Sequence, residues 1–265
     1  MKYIDVEKSI DESNSKFLKK LPRFVIKFFI WVVRQDELNR ILNKYSEEIG
    51  LPFLRAMIKE FNLNLEIEGL ENLPDSSRCI FVANHPFGII DGLIITHIAG
   101  EKYGSLKAIG NDAFVMVPNL RPLIAEVNVF GKNSKQHVMA LDELYSSDVT
   151  ITHFPAGEVS RIYHGKVQDC DWQKSFVSKV VTKKRIIVPI RFYGRNSRLF
   201  YTIFILRRML GIKMNIELML LPREMFRKRN KTIRVKIGKP ISYETFDDSK
   251  NHYDWAQWVK QEVYK

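Results

Sequence analysis

A histidine and an aspartate that could act together stand six residues apart, within the segment FVANHPFGIIDG, residues 81–92. A short apolar run leads to His85, a turn containing proline and glycine follows, and Asp91 opens a second apolar stretch. A histidine supported by a carboxylate is an effective general base near neutral pH. We therefore predict that His85 is a catalytic base and that Asp91 supports it. The alternative is that His85 only caps a turn.

A second candidate site is the segment THFPAGEVSR, residues 152–161. A glycine-containing turn at the end of a strand can present backbone N–H groups to an anion. An arginine close by can hold phosphate or carboxylate oxygens through two parallel hydrogen bonds. We predict that Gly157, Glu158, Ser160 and Arg161 bind substrate. The alternative is an ordinary strand-to-loop turn with surface charges.

Other reactive patterns are weaker or missing from the sequence. Two more strand-to-turn segments carry basic residues, at 128–135 and 188–198, but neither is specific alone. No G-x-S-x-G segment occurs, which argues against a serine acyl-enzyme. No HExxH segment or Cys/His cluster predicts a metal site. Cys79 and Cys170 form no disulfide framework, which fits a reducing compartment, and no secretory signal is recognisable.

The net charge of +12 is distributed unevenly along the chain. Residues 16–34 contain six basic residues and no acid, and residues 183–234 contain fifteen basic residues against only Glu217 and Glu224. Such fields suit an anionic partner, which could be a nucleic acid, an acidic membrane, an acidic carrier protein or a phosphorylated substrate. A basic surface that only aids solubility is the alternative. Because no nucleic-acid-binding motif occurs, we expect no nucleic acid partner.

The first basic segment, residues 16–34, combines its charges with aromatic and aliphatic residues. Its apolar part, residues 24–33, is ten residues long and is interrupted by Lys27. A transmembrane helix needs roughly 20 apolar residues, so this segment is too short to span a bilayer. Aromatic residues flanked by Lys and Arg are typical of a helix that lies in the headgroup layer. We predict that residues 1–60 form a helical arm on an anionic membrane surface; the alternative is a buried helix with a basic rim.

From residue 61 to residue 265 the chain alternates strand-like and helix-like patterns, which predicts one α/β domain with a mostly parallel central sheet flanked by helices. The predicted strands are 63–68, 79–83, 105–109, 126–130, 149–154, 186–192, 215–221 and 233–237. The predicted helices are 92–103, 135–146, 171–183, 198–209 and 253–263. Before this domain, two helices are predicted, one between Asp36 and Gly50 and one over 52–60.

Four motifs in this order resemble those of the glycerolipid acyltransferase superfamily, whose best-known type is lysophosphatidic acid acyltransferase. The resemblance covers roughly residues 60–240. The matching positions are Asn84, His85 and Asp91 in the first motif, Phe130 and Lys132 in the second, Phe154, Pro155, Gly157 and more loosely Glu158 and Arg161 in the third, and Val188, Pro189 and Ile190 in the fourth. The resemblance implies the fold of this superfamily, with N-terminal helices resting on the bilayer.

Several positions depart from the usual pattern of the superfamily. Five residues rather than four separate the histidine from the aspartate, and Ala156 stands where a glutamate is usual, with Glu158 following the glycine. Lys132 stands where arginine is common. In these features the chain is similar to a bacterial subgroup often labelled hemolysin-like, which includes O-acyltransferases that make ornithine- and glycine-headed lipids.

The resemblance implies a lipid O-acyltransferase, in which the hydroxyl of a lysolipid, either a lyso-aminolipid or lysophosphatidic acid, attacks a fatty-acyl thioester. Asn84, Lys132 and Arg161 would bind substrate beside the histidine. Acyl carrier protein or coenzyme A would carry the acyl group as a co-substrate, with no cofactor and no metal. The implied location is the cytoplasmic face of the inner membrane, as a peripheral or monotopic protein. The alternative function is that of a lipid hydrolase or a hemolysin-like membrane-active protein.

Overall fold

The computed structural model describes residues 1–13, 15, 18–110, 117–125 and 135–265. Their strands are β1 (Asn64–Glu68), β2 (Cys79–Ala83), β3 (Leu106–Ile109), β4 (Thr150–His153), β5 (Arg161–Tyr163), β6 (Lys166–Gln168), β7 (Ile186–Tyr193) and β8 (Thr232–Ile237). Their α-helices are α1 (Val6–Asp11), α2 (Arg23–Val33), α3 (Gln35–Lys44), α4 (Leu51–Glu60), α5 (Ile89–Tyr103), α6 (Lys135–Ser146), α7 (Ser175–Lys183), α8 (Arg198–Met209), α9 (Leu221–Phe226) and α10 (His252–Tyr264).

A six-stranded sheet in the order β1-β8-β7-β2-β4-β3 forms the centre of the described structure. Strands β7, β2, β4 and β3 are parallel to one another. Strand β8 runs antiparallel to β7 and parallel to β1, so these two strands point the other way. The prediction of an α/β fold with a mostly parallel sheet is therefore confirmed. The carboxyl ends of β2, β4 and β7 meet at one edge, where α/β proteins commonly bind ligands.

Helices cover both faces of the sheet, and this explains why β2 is a continuous apolar run. All five residues of β2 are buried. Phe81 packs with Ile94 of α5 in one hydrophobic cluster, whereas Ile80 and Val82 pack with Phe176 of α7 in another. A strand that is buried on both faces loses the alternation of apolar and polar residues that marks a half-exposed strand.

Two of the N-terminal helices pack onto the α/β domain. Phe53 and Leu54 of α4, with Ile41 of α3, belong to the same hydrophobic cluster as Phe81 of β2. The division of the chain into an arm, residues 1–60, and a domain, residues 61–265, stays a prediction. In the described part of the chain, none of the helices combines the length and the apolar composition that crossing a membrane requires.

The predicted strand at 215–221 is wrong. The structure has a short 3-10 helix, Ile216–Leu220, followed directly by α9. An apolar run of strand length cannot be told from a buried helical segment by periodicity alone. One feature favours the helical form here: Pro222 lies in the first turn of α9, where its missing N–H has no helical partner to lose.

Other boundaries differ by a few residues or lie outside the described part. Helix α3 begins at Gln35 rather than after Asp36 and ends at Lys44, so Gly50 precedes α4 instead of ending α3. Helix α5 begins at Ile89, three residues earlier than predicted, which places Asp91 in its first turn. The predicted strand at 126–130 lies outside the described residues.

Candidate active site

The side chains of His85 and Asp91 meet at the carboxyl edge of the sheet. His85 follows β2, and its Nδ1 lies 3.1 Å from Oδ2 of Asp91. Asp91 is fully buried, whereas 14% of the His85 side chain is exposed. Since Nδ1–H donates to the carboxylate, the neutral ring carries its free electron pair on Nε2, the nitrogen that can accept a proton.

The start of α5 also fixes the aspartate. Oδ2 of Asp91 accepts hydrogen bonds from the backbone amides of Phe87 at 2.7 Å and Gly88 at 2.9 Å. Burial raises the pKa of Asp91, and the hydrogen bonds from His85 and the two amides oppose that rise. Negative charge is favoured at a helix N-terminus, so this position suits a carboxylate that supports an imidazolium.

Gly88 is required at this turn for two reasons. Its φ angle is +86°, and a Cβ at this position would lie 2.9 Å from Leu221 and 3.3 Å from Val159. A side chain at residue 88 would therefore strain the backbone and press against α9 and the loop after β4.

The two predicted site segments come together around His85. Its imidazole stacks on the ring of Phe154, with 3.9 Å between centroids and 24° between planes. Its carbonyl oxygen accepts a hydrogen bond from the backbone amide of Ser160 at 2.8 Å. The loop after β4 thus holds the histidine both through its ring and through its backbone.

Asp169 is a residue of this site that the sequence patterns did not indicate. Its Oδ1 accepts hydrogen bonds from the backbone amide of His85 at 3.2 Å and from the hydroxyl of Ser160 at 2.5 Å. Its Oδ2 accepts from the indole N–H of Trp172 at 2.9 Å, and its own backbone amide donates to the hydroxyl of Tyr264. With 2% exposure, Asp169 joins both site segments to α10. No motif surrounds it, so only its surroundings in the fold reveal its role.

The other predicted residues of the second segment mostly contact protein. The amide of Gly157 donates to the carbonyl of Phe154 at 3.0 Å, within the turn itself. Glu158 accepts a hydrogen bond from the hydroxyl of Tyr163 at 2.6 Å. The hydroxyl of Ser160 is buried against Asp169. Their predicted contacts with substrate stay predictions, and in this arrangement Gly157 and Ser160 hold the loop together.

Arg161 lies inside the protein rather than at the edge of the site. It is fully buried, and its Nε and Nη2 each lie 3.1 Å from Oε1 of Glu217. Arg207 of α8 binds the other oxygen of Glu217 at 2.8 Å, and Arg161 also donates to the carbonyl of Val159. The guanidinium stacks near Phe200. The predicted contact between Arg161 and an anionic head group stays a prediction, which this burial does not favour.

Asn84 is also engaged by the sheet. Its side-chain amide donates to the carbonyl of Phe192 at 2.9 Å, and its carbonyl accepts from the amide of the same residue at 2.7 Å. This pair extends the contact between β2 and β7 by one residue and sets the direction in which the chain enters His85. Lys132, the remaining predicted substrate-binding residue, lies outside the described residues.

A small polar cavity of about 120 Å³ lies beside the residues that flank His85. Asn84, Pro86 and Ser160 line one part of it, and Arg191 and Tyr264 line another. Arg191 donates to the backbone carbonyl of Tyr264 at 2.5 Å, and its guanidinium lies 4.4 Å from the centre of the Tyr193 ring. Among the described residues that line this cavity, the cationic one is Arg191 of β7, whose segment alone gave only a weak signal in the sequence. In the described residues, no three His, Cys, Asp or Glu side chains group as a metal site.

The fold and this site together define an α/β protein with a paired histidine and aspartate at the carboxyl edge of its sheet. Residues 8–265 match the family described as Acyltransferase, so the chain belongs to that family and is an acyltransferase. This confirms both the resemblance seen in the motifs and the predicted class of enzyme.

Two curated relatives match almost the whole chain. The chain is 40% identical to a lyso-glycine lipid O-acyltransferase of Phocaeicola vulgatus over 263 residues, which cover 99% of this chain and 94% of the relative. It is 39% identical to a lyso-glycine lipid O-acyltransferase of Bacteroides thetaiotaomicron, again over 99% of this chain and over 97% of the relative. Among solved structures, the 1-acyl-sn-glycerophosphate (LPA) acyltransferase PlsC of Thermotoga maritima matches with a TM-score of 0.48 and 17% identity, over 91% of this chain and 92% of that one.

Proposed function

We propose that this protein transfers a fatty-acyl group from a thioester donor to the hydroxyl of a lyso-glycine lipid. The observation that carries the proposal is the contact of the buried Asp91 with the partly exposed His85, 3.1 Å apart, at the carboxyl edge of the sheet of an acyltransferase family member. The acceptor follows from the two relatives of about 40% identity, which are lyso-glycine lipid O-acyltransferases.

The reaction needs one base and no covalent enzyme intermediate. Nε2 of His85 removes the proton of the acceptor hydroxyl as its oxygen attacks the thioester carbonyl. The carbon–oxygen bond of the new ester forms and the carbon–sulfur bond breaks. The imidazolium, which Asp91 stabilises, then gives the proton to the leaving thiolate, so the products are the diacylated lipid and a free thiol.

The acceptor brings a carboxylate head group, and the cavity beside His85 offers a cationic partner for it. Arg191 reaches this cavity, and its guanidinium is only partly satisfied by the carbonyl of Tyr264. A planar guanidinium can bind a carboxylate through two hydrogen bonds. Lys132 and Arg161 remain further candidates for this contact from the motif match.

Access to a lipid acceptor is provided by α2. Phe24, Phe28 and Trp31 lie on one side of this helix and are each more than half exposed. The basic residues Arg23 and Lys27 alternate with them and are also exposed. Aromatic side chains can enter the headgroup region while the cations attract anionic lipids. The enzyme is thus expected to bind the cytoplasmic face of the inner membrane as a peripheral protein.

Acyl transfer by the purified protein to defined acceptors tests the function. Monoacylated glycine lipid, monoacylated ornithine lipid and lysophosphatidic acid are offered in vesicles, each with an acyl-coenzyme A and with an acyl carrier protein thioester, and the products are measured by mass spectrometry. The diacylated glycine lipid is expected to form fastest, and its formation must be lost in His85→Ala. Faster acylation of lysophosphatidic acid would overturn the proposal that the acceptor is a lyso-glycine lipid. Release of free fatty acid without ester formation would favour a hydrolase.

A further inference from the structure

Helix α8 and the loop after it present a second apolar surface, separate in sequence from the N-terminal arm. Met209 is 77% exposed and Leu210 is 73% exposed. Contiguous exposed apolar patches are uncommon on soluble proteins and mark interaction sites. The large apolar residues that are exposed on this α8 surface are Ile205, Leu206, Met209, Leu210, Ile212 and Met214.

The exposed charges within the segment that forms the α8 surface have a single sign. Residues 195–216 contain no acid, and their exposed basic residues are Arg195, Arg198, Arg208 and Lys213. The two acids of the larger basic segment, Glu217 and Glu224, are buried in ion pairs and hydrogen bonds. Its negative charges are therefore inside the protein, and the outer surface facing a partner is apolar and cationic.

The α8 surface is connected both to α2 and to the loop that holds His85. Val32 of α2, Phe200 of α8 and Leu220 share one hydrophobic cluster, which also contains Val159, the residue before Ser160. The buried ion pairs of Arg161 with Glu217 and of Glu217 with Arg207 hold α8 against the same loop. A partner bound on α8 would thus be held at a fixed position relative to the histidine.

We propose that the α8 surface inserts into an anionic bilayer as a second membrane contact, beside the contact made by α2. A fluid hydrocarbon layer accepts apolar side chains on several turns and on an irregular loop without a complementary shape, and anionic head groups match the cations at its edge. A protein partner would require a shaped, partly polar contact area. Two contacts on one cluster would hold the catalytic edge at the depth where a lysolipid hydroxyl lies, so the proposal rests on the proposed lipid acceptor.

Vesicle sedimentation of the full-length protein tests this surface without relying on catalysis. The variant Met209→Ser/Leu210→Ser removes two exposed apolar side chains without changing the charge. The matched control Ile49→Ser/Leu70→Ser removes two others, each about half exposed; Leu70 follows β1, whose direction puts it at the edge of the sheet opposite the active site. Vesicles contain phosphatidylglycerol and phosphatidylethanolamine, and binding is measured at low and at high salt, since salt weakens only the ionic part.

The α8 variant is expected to lose at least about tenfold in its partition coefficient at high salt, because burial of one such side chain typically contributes a factor of ten or more. The control variant is expected to bind like the wild type. Activity on a lysolipid dispersed below its critical micelle concentration should be equal in all three proteins, which separates loss of docking from loss of chemistry. Wild-type sedimentation of the α8 variant would overturn the proposal. The proposal would also be overturned if analytical ultracentrifugation showed a dimer, or a complex with acyl carrier protein, that forms in the wild type and the control but not in the α8 variant.

Discussion

The side chain of Asp169 accepts a hydrogen bond from the backbone amide of His85 at 3.2 Å, although 84 positions separate the two residues in the chain. The same oxygen accepts the hydroxyl of Ser160, whose amide donates to the carbonyl of His85. His85 is therefore held by residues that follow β4 and β6 as well as by α5, and its backbone is fixed by contacts that do not belong to its own turn.

Asp169→Asn is expected to lower kcat by about ten- to hundredfold with little change in KM. The two carboxylate oxygens of Asp169 accept from three donors, whereas an asparagine has only one acceptor oxygen, so the hydrogen bond from the backbone amide of His85 is lost or distorted. Misplacing a catalytic group by about 1 Å can lower kcat by a factor of this order. Stability should fall by about 1–3 kcal/mol. Kinetics at a temperature where unfolding curves show the variant fully folded measure the effect on its own.

Ser160→Ala is the matched control for Asp169→Asn. It removes the hydrogen bond from the Ser160 hydroxyl but leaves the one that the backbone amide of His85 donates to Asp169. A clearly smaller loss of kcat is expected. If both variants lost activity only in proportion to their loss of folded protein, Asp169 would be a structural residue and not a positioning one.

His85→Ala is expected to reduce kcat by about 10²–10⁴ while the protein stays folded, because general-base catalysis typically supplies such a factor. His97→Ala, in the middle of α5 with Nδ1 3.6 Å from Oε1 of Glu101, serves as the control and should keep wild-type activity. Retention of more than about a tenth of kcat in His85→Ala would remove the histidine from the mechanism.

Asp91→Asn tests the negative charge that supports the imidazole. The asparagine oxygen can still accept the amides of Phe87 and Gly88, so the helix start should survive. The same oxygen, in the place of Oδ2, would also face Nδ1 of His85, so the variant keeps the position of the ring and loses the negative charge that stabilises the imidazolium. We expect kcat to fall by about 10²–10⁴ and the thermal midpoint to change little. A change in the midpoint without a change in kcat would contradict this role.

Arg161→Gln is expected to act on stability first. It leaves the fully buried Glu217 with Arg207 as its remaining cationic partner among the described residues. Breaking one arm of a buried ion pair typically costs about 3–5 kcal/mol, and the remaining arginine should limit the loss to about 2–4 kcal/mol. Urea unfolding measures this loss. An increase in KM for the lysolipid at unchanged stability would instead support the contact with the head group that the motif predicts.

Arg191→Gln is the companion experiment, because this arginine is only partly buried and lines the cavity beside His85. KM for an acceptor with an anionic head group should rise about tenfold or more, with little effect on KM for the thioester donor and on the unfolding midpoint. If KM for the donor rose alone, the cavity would belong to the donor's binding site.

His153 predicts a pH dependence of stability that is separate from catalysis. It ends β4, its Nδ1 is buried without a hydrogen-bond partner among the described residues, and burial lowers its pKa to about 4. The unfolded chain binds this proton from about pH 6.5 downwards, whereas the folded chain does so only near pH 4, so stability is lost as the pH falls through this window. Urea unfolding from pH 7 to pH 4 should show a smaller decline in His153→Phe than in the wild type. An equal decline in stability in the two proteins would show that a group other than His153 causes the pH dependence.

Sequence patterns alone predicted the corner at which His85 and Asp91 meet. His85 and Asp91 meet because six residues are enough to complete one strand–turn–helix junction, so their contact is decided locally. The strands β2 and β7 and the helices between them were likewise visible, since a strand buried on both faces must be apolar throughout and a helix must repeat its apolar residues every three to four positions.

Only the tertiary structure decided which residues surround that corner. Phe154 stacks on His85 because β4 lies next to β2 in the sheet, and Asp169 binds the backbone of His85 although it follows β6. No local pattern encodes either contact. Arg161 looked like a surface ligand for an anion, yet it is buried, because Glu217, far along the chain, folds back to meet it. The physical reason is the same in each case: hydrogen bonds and ion pairs between distant segments depend on how the elements pack, whereas periodicity and turn residues report only on the few residues around them.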